Sequence, residues 1–413
     1  MIHTEEFFNI LILIAVALIL ARVLGFLFHK LKQPAVIGEI IAGILLGYLG
    51  VFVFSGKNFS FLSYSISTIN LHNLLQSQEF YLLAQIGILF LLFISGLETS
   101  FSSLKKTERA SLYVAIGGVI LPLFFGFLSG IIFNFSMIES IVIGLILIAT
   151  SVGVTVRTLM DLNVIDTDAS TTILGAAVID DIIGILLLAF AIGIGSLMDA
   201  IWIGARIIFF FLIFLYLGLK VIDKVLNLGE KIHLPKSLLS VALSVFLIYA
   251  FFADKAGISG IIGAFVAGIL IGQNVRSKKI ADDVKALGYG FFIPLFFVWV
   301  GASIWDEASS DFSLYSSILI FTIVIIFVSI IGKIIGCGIG AKLSGMSNSE
   351  SLQVGVGMIP RMELALIIST AAISHGILSD EFSHQILIMT ILLTIITTLV
   401  APVLIKATFK NKK

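Results

Sequence analysis

The chain has 413 residues, of which 59% are hydrophobic and 12% charged, and its mean hydropathy is +1.16. Soluble domains carry roughly a quarter charged residues, so this composition indicates an integral membrane protein and excludes a soluble enzyme. Basic and acidic residues number 25 each, and without a basic surplus we expect no nucleic-acid partner. The single cysteine, Cys337, excludes an internal disulfide framework.

Thirteen apolar runs, bounded by charged or turn residues, predict thirteen membrane-spanning helices, since about 20 apolar residues cross the hydrocarbon core. In chain order they are 7–28, 34–54, 80–97, 110–133, 138–156, 171–194, 200–219, 237–252, 258–273, 286–304, 314–341, 353–374 and 385–405. The first run follows acidic residues rather than basic ones and is too long for the core of a signal peptide. We therefore interpret it as the first span.

Basic residues are distributed unequally between the predicted loops. With the N-terminus outside, 19 of them fall in loops on the cytoplasmic side, and only Lys57 and Lys255 fall in outer loops. Cytoplasmic loops are enriched in Lys and Arg, and a helix count wrong by one would put basic loops on both sides. We expect a multi-pass protein of the plasma membrane, with the N-terminus outside and the C-terminus in the cytoplasm.

The second and ninth runs contain similar decapeptides. Their sequences, GEIIAGILLG at 38–47 and GAFVAGILIG at 263–272, agree at six of ten positions. The matched runs lie seven helices apart, an odd number, so the two copies enter the membrane from opposite sides. The sequence predicts inverted repeats at about 7–194 and 237–405 and a linker helix at about 200–219, in a single membrane domain over 1–413 without a soluble regulatory domain. Inverted repeats are typical of secondary transporters.

Two consecutive carboxylates, Asp180 and Asp181, lie halfway along the sixth run. A charge at the bilayer centre costs at least about 2.5 to 3.5 kcal/mol, so carboxylates there indicate a function. Neighbouring helical residues point about 100° apart, so one aspartate can face a cavity while the other faces a partner helix. The expected counterion is Lys333, which lies among glycines in the eleventh run and is placed to exchange a proton. Alternatively, this lysine extends to the cytoplasmic headgroups.

Two predicted spans contain sequences that favour a break in the helix, namely ATSVGVT at 149–155 and GVGMIPRME at 355–363. They are corresponding members of the two repeats, and such breaks indicate an ion site, because unwound carbonyls can bind a cation. We expect the first break to supply oxygen ligands. We expect the second break to give structural support, with direct ion contact as the alternative. The residues concerned are Thr150 and Ser151 in the first break, and Pro360, Arg361 and Glu363 in the second, where Arg361 and Glu363 would pair.

Together, the motifs at 149–157, 177–181, 332–338 and 357–363 resemble the monovalent cation:proton antiporter-2 family, which includes NapA-type sodium exchangers and Kef-type potassium exchangers. The resemblance covers essentially the whole chain. It implies an all-α polytopic membrane protein with thirteen helices and crossed broken helices, the NhaA-like antiporter fold, and a homodimer in the lipid bilayer. It also implies that Asp181 is the principal ion and proton carrier and that Asp180 pairs with Lys333.

Kef-type proteins usually replace the first aspartate and add a cytosolic nucleotide-binding domain. Here both aspartates are present and the sequence ends at Lys413, soon after the last run. This favours Na⁺, and also Li⁺, as the exchanged cation, with Asp181 and Asp180 as its ligands and no cofactor; K⁺/H⁺ exchange of the Kef type is the alternative. Met362 departs from the family pattern, in which glycine is frequent.

A cation channel or a non-transporting membrane receptor is a distant alternative. A channel needs a continuous pore with rings of ligands, usually built between subunits, whereas these charges lie in one pseudo-symmetric unit. An intramembrane aspartyl protease needs carboxylates from two helices at one water, and here the obvious pair is consecutive. We therefore expect a transporter and not an enzyme. If Lys333 releases a proton when sodium binds at Asp181, two protons leave per sodium and the exchange is electrogenic.

Overall fold

The computed structural model of the protein describes residues 2–53, 60–61, 64–65, 71–99, 101–191, 197–232, 234–305, 312–374, 378 and 380–409. The side chain of Glu363 and the predicted span ends Phe54 and Ile194 lie outside the described residues. Within these ranges the chain is almost entirely helical, which confirms the predicted all-α class. The exception is one antiparallel pair of two-residue strands, β1 (Ser60–Phe61) and β2 (Tyr64–Ser65).

The α-helices of the described residues are α1 (Ile2–Lys30), α2 (Ala35–Tyr48), α3 (Leu71–Leu75), α4 (Gln78–Glu98), α5 (Phe101–Lys106), α6 (Glu108–Ile132), α7 (Met137–Ile148), α8 (Val152–Asp161), α9 (Asp168–Ala191), α10 (Leu197–Lys231), α11 (Ser237–Ala256), α12 (Gly260–Gly272), α13 (Ser277–Leu287), α14 (Ile293–Ala302), α15 (Phe312–Leu343), α16 (Asn348–Gly357), α17 (Glu363–Ser374) and α18 (Asp380–Phe409). A π-helical turn, Leu49–Val53, continues α2, and a second, Gly288–Phe292, precedes α14. A 3₁₀ turn, Ser303–Trp305, follows α14.

Nine helical stretches in the described part of the chain are long and apolar enough to cross a membrane, and α2 and α12 belong to shorter apolar helices. Every predicted run overlaps a helix or a pair of helices, whereas the number of thirteen crossings stays a prediction. The largest difference is α10, which continues to Lys231 rather than ending near 219. Its last turns remain helical because Ile222 and Leu226 are buried at helical spacing between exposed lysines.

The chain divides into two compact units. Unit 1 consists of Met1–Leu91 and Lys285–Ser313, and unit 2 consists of Leu92–Val284 and Leu314–Lys413. An apolar core cluster of unit 1 is formed by side chains of α1, α2, α3, α4 and α14. In unit 2, a core cluster is formed by side chains of α6, α7, α15, α17 and α18.

In unit 1, α2 and α14 cross with their backbones in direct contact. A Cβ atom at Gly43 would overlap the carbonyl oxygen of Val298, and one at Gly301 would overlap that of Ile40. Only glycine permits so close an approach. The crossing therefore depends on a glycine from each helix.

In unit 2, α4 and α12 cross in the same manner. A Cβ atom at Gly96 would overlap the carbonyl oxygen of Phe265, and one at Gly268 would overlap that of Phe93. Gly268 and Gly43 occupy the same position in the two similar decapeptides. The glycine pair of the second and tenth predicted spans, Gly43 and Gly301, thus has a counterpart in the ninth and third spans. That counterpart is the pair Gly268 and Gly96.

Helices α7 and α16 begin with the same N-terminal cap. The Ser136 hydroxyl accepts from the Glu139 amide while the Glu139 carboxylate accepts from the Ser136 amide, and Ser347 and Glu350 make the same reciprocal pair. Such capping boxes satisfy backbone donors that a helix start leaves free. Each cap starts the helix that ends at one of the two interruptions, at 149–151 and at 358–362, where the sequence predicts breaks.

Candidate ion-binding site

The two interrupted segments of unit 2 lie against each other. The Ser151 amide donates to the Pro360 carbonyl oxygen at 2.7 Å, and the Thr155 hydroxyl donates to the Gly357 carbonyl oxygen at 2.7 Å. Backbone groups at broken helix ends have no intrahelical partner. Each segment therefore supplies partners for free backbone groups of the other.

Arg361 is fully buried and closes the C-terminal end of α7. Its Nη1 donates to the carbonyl oxygens of Ile148, at 3.0 Å, and Ala149, and its Nε donates to Ser329 Oγ at 3.1 Å. A cation at a helix C-terminus stabilises the partial negative charge there. The structure thus assigns Arg361 backbone and hydroxyl acceptors, while its pairing with Glu363 stays a prediction, because the side chain of Glu363 is not described.

Asp180 and Lys333 form a completely enclosed ion pair. Lys333 Nζ lies 2.9 Å from Asp180 Oδ2, and both side chains have 0% relative exposure. The Thr150 hydroxyl donates to the same carboxylate oxygen at 2.5 Å. Lys333 therefore points into unit 2, and the alternative in which it extends to the headgroups does not agree with its burial.

The lysine head group has room because the facing helix carries glycine. At Gly118 of α6, a Cβ atom would lie 2.6 Å from Cys337 Sγ and 3.2 Å from Lys333 Nζ. Nearby, Gly117 and Gly336 bring α6 and α15 into backbone contact. Sequence reasoning identified the glycines around Lys333 but missed Gly118, although the Gly-Gly pair in the fourth predicted span was a visible signal.

Asp181 faces a different environment from its neighbour. Whereas Asp180 is 1% exposed, Asp181 is partly accessible and contributes to the wall of a small pocket. The other described residues that line this pocket are apolar: Leu92, Val152, Leu174, Val178, Ile261, Ile262 and Phe265. A hard cation or a proton in this pocket would therefore meet the Asp181 carboxylate.

Two predicted oxygen ligands lie beside the pocket rather than in its described lining. The Thr150 hydroxyl donates to Asp180, and Ser151 Oγ lies 3.5 Å from Met362 Sδ. Met362 is the residue at which the sequence analysis expects a departure from the family pattern. Among the described residues, no group of three His, Cys, Asp or Glu side chains could hold a metal ion.

Interrupted membrane helices that meet beside buried carboxylates are typical of secondary transporters. Residues 11–409 match the family described as "Sodium/hydrogen exchanger, transmembrane", and the chain belongs to this family. Its members are transporters rather than catalytic enzymes.

Curated relatives and a solved structure agree with this assignment. A Na⁺/H⁺ antiporter of Enterococcus hirae is 34% identical over 98% of this chain and 100% of its own length. The Na⁺/H⁺-K⁺ antiporter GerN of Bacillus cereus is 34% identical over 99% of this chain and 97% of its own length. In fold, the chain resembles the sodium proton antiporter MjNhaP1 of Methanocaldococcus jannaschii, with a TM-score of 0.68, 19% identity and coverage of 98% and 97%.

Proposed function

We propose that the protein is a secondary active antiporter that exchanges Na⁺, and also Li⁺, for protons across the plasma membrane. The observation that carries this proposal is that two adjacent carboxylates lie in different environments. Asp181 is accessible from a pocket, whereas Asp180 is held by Lys333 inside the protein. Membership of the sodium/hydrogen exchanger family supports the same reaction.

Exchange at this site requires no covalent step. The Asp181 carboxylate binds either a sodium ion or a proton, and the two compete for the same oxygens. A bare carboxylate is costly to move through an apolar barrier, so the carrier crosses only in a loaded form. This coupling requires no cofactor.

Lys333 gives the cycle a second titratable group beside the carrier. In the proton-loaded state its ammonium group pairs with Asp180. When sodium binds at Asp181, the positive charge of the ion repels the ammonium group, and Lys333 releases its proton. Two protons then leave for each sodium ion bound, so turnover moves net charge.

We assign the protein to the sodium-handling, NapA-type branch of the monovalent cation:proton antiporter-2 family, with thirteen spans and the NhaA-like fold. Inverted repeats at about 7–194 and 237–405, with a linker helix at about 200–219, form one membrane domain. Support comes from the glycine crossing of α2 with α14, which has its counterpart in that of α12 with α4. The matching caps of α7 and α16 also support the repeat. We further propose a homodimer with the N-termini outside.

Potassium is the second candidate cation. One relative that is 34% identical bears the name Na⁺/H⁺-K⁺ antiporter. An apolar pocket with one carboxylate offers few protein oxygens that would fix the size of the bound ion. K⁺/H⁺ exchange at Asp181 therefore stays the alternative.

Proton flux in proteoliposomes tests the function and the site together. Na⁺, Li⁺ and K⁺ are added in turn while internal pH is recorded, and Asp181→Asn is compared with Asp168→Asn. The control aspartate lies in the same helix but pairs with Lys106 at the surface. We expect Na⁺ and Li⁺ to move protons in the wild type and in Asp168→Asn, and no cation to do so in Asp181→Asn.

Each result of this experiment is informative. Cation movement without proton movement in the wild type would indicate a channel, and the antiporter proposal would fail. Wild-type flux from Asp181→Asn would disprove the site and leave the function standing. A response to K⁺ that equals the response to Na⁺ would favour the second candidate.

A further inference from the structure

The end of α10 exposes a surface that is both basic and apolar. Lys224 and Lys231 are exposed on its last turns, and between them Leu228 is 61% exposed. Ile222 and Leu226 are buried on the opposite side of the helix. The helix therefore packs against the rest of unit 2 through Ile222 and Leu226, and its opposite face stays exposed.

The turn before α13 continues this surface. Val275 is 92% exposed, the highest value among the large apolar side chains of the described residues. Lys278 and Lys279 follow it and are exposed, whereas Ile280 and Val284 anchor α13 by their burial. The first turn of this helix thus presents lysines beside a bare apolar side chain.

Polar contacts hold the two segments together. Arg276 Nη2 lies 2.5 Å from Glu230 Oε2, and Asn274 Nδ2 donates to Asp223 Oδ1 at 2.5 Å. They place Val275, between the two donors, beside the end of α10. We call the exposed side chains of Lys224, Leu228, Lys231, Val275, Lys278 and Lys279 the basic–apolar surface.

The same region keeps several of its acidic groups occupied. Glu230 pairs with Arg276, Asp223 accepts from Asn274, and Asp283 pairs with Lys236 at 2.5 Å. Residues 220–236 and 274–285 together carry eight Lys and Arg side chains and four Asp and Glu side chains, and Lys279 also attracts Glu230. The surface therefore carries an excess of positive charge.

The length of α10 places this surface at a membrane boundary. At about 1.5 Å per residue, its 35 residues extend over about 50 Å, whereas the hydrocarbon core is about 30 Å thick. The last turns thus lie among or beyond the headgroups, on the side predicted to face the cytoplasm. Lysines interleaved with exposed apolar side chains are typical of segments that bind anionic lipid surfaces.

We propose that the basic–apolar surface binds the phosphate groups of anionic phospholipids. The four lysines contact the phosphates, and Leu228 and Val275 enter the adjoining acyl region. The carboxylates of an acidic soluble protein would pair with the lysines, but they would not bury Leu228 and Val275 in an apolar environment. Lipid accounts for both properties.

Lipid-dependent thermal stability of the full-length protein in detergent tests the proposal. Unfolding midpoints are recorded during titration with phosphatidylglycerol, with phosphatidylcholine of the same acyl chains, and with inorganic phosphate. The test variant replaces Lys231, Lys278 and Lys279 with Gln. Its matched control replaces three exposed lysines of the same predicted side outside the surface: Lys30, Lys105 and Lys342.

We expect phosphatidylglycerol to stabilise the wild type and the control, and the test variant to need about a hundredfold more of this lipid for the same shift. Val275→Asp, a single change in an exposed turn, serves as a second variant and should also weaken the response to phosphatidylglycerol. Inorganic phosphate and phosphatidylcholine should have no effect on any variant.

Three results would overturn the proposal. An equal response of the test and control variants would show that only overall charge matters. An equal stabilisation by inorganic phosphate would indicate a phosphate site without lipid. Loss of the response in the lysine variant but not in Val275→Asp would remove the apolar part of the argument and favour an acidic protein partner.

Discussion

The Lys333 ammonium group and the Asp180 carboxylate are 2.9 Å apart and have no exposed surface. The same oxygen of Asp180 also accepts a hydrogen bond from the Thr150 hydroxyl, which lies in the break of the fifth predicted span. A buried ion pair stabilises the folded protein little more than two well-packed apolar side chains would. Removal of one partner, however, leaves an uncompensated buried charge, which destabilises the protein strongly. The pair should therefore respond very differently to single and double substitution.

The first prediction concerns stability. Lys333→Gln should lower the free energy of unfolding by about 3 kcal/mol or more, because Asp180 is left charged and buried. The double variant Asp180→Asn/Lys333→Gln should recover most of the loss, since neither charge remains. Unfolding midpoints in detergent provide the measurement.

Lys106→Gln, which breaks the exposed pair with Asp168, is the control and should change stability by at most about 1 kcal/mol. Equal instability of the single and double variants would show that the pair is not the cause.

The second prediction concerns the charge moved in each cycle. Wild-type exchange in proteoliposomes should generate a membrane potential and respond to an imposed one, because two protons leave for each sodium ion. In Asp180→Asn/Lys333→Gln one of these protons is lost, so exchange should be slower or electrically silent. Flux is measured with and without valinomycin and K⁺ to set the potential. A wild type that ignores the potential would refute the two-proton scheme and leave antiport itself in place.

The third prediction fixes the orientation. Asn227→Cys, near the end of α10, should resist a membrane-impermeant thiol reagent applied to intact cells and react after the membrane is opened. Asn134→Cys, in the exposed turn between α6 and α7, should react from outside. The native Cys337 is buried and provides the blank. Labelling of Asn227→Cys from outside would contradict the arrangement with thirteen spans and an outer N-terminus.

The fourth prediction concerns the two glycine crossings. Gly43→Ala and Gly268→Ala should each destabilise the protein by about 1–3 kcal/mol or more, because the new methyl group would overlap a backbone carbonyl that cannot easily move. Gly290→Ala is the control, since its Cβ atom would meet nothing within 4 Å. Thermal stability in detergent distinguishes them. Unchanged midpoints for both alanine variants would mean that the helices separate at little cost.

Local sequence signals were sufficient for most of the helices and for both interruptions. Apolar runs of about 20 residues mark membrane helices because the bilayer thickness is fixed, and Pro360 and the Thr150-Ser151 pair mark positions where a helix is easily broken. Gly43 and Gly268 were visible as matching positions of the two similar decapeptides, whereas their partners Gly301 and Gly96 became evident only in the structure.

Other features depended on tertiary structure. Helix α13 was not predicted, because it has only two buried apolar side chains, Ile280 and Val284, in a charged segment. Two acceptors of Arg361 are the carbonyl oxygens of Ile148 and Ala149, more than 200 positions away. No local pattern could identify them, and the natural expectation from sequence was the nearby Glu363.

The distance between Asp180 and Lys333 along the chain also has a consequence for synthesis. The two residues are 153 positions apart, so at about 5–20 residues per second the carboxylate is made roughly 8–30 s before its lysine. Until α15 is made, Asp180 of α9 has no counterion from that helix. A buried charge without its partner is costly, so we expect Asp180 to stay hydrated or protonated until Lys333 is inserted. Completion of the transporter is thus a late event of biogenesis, set by the emergence of one lysine.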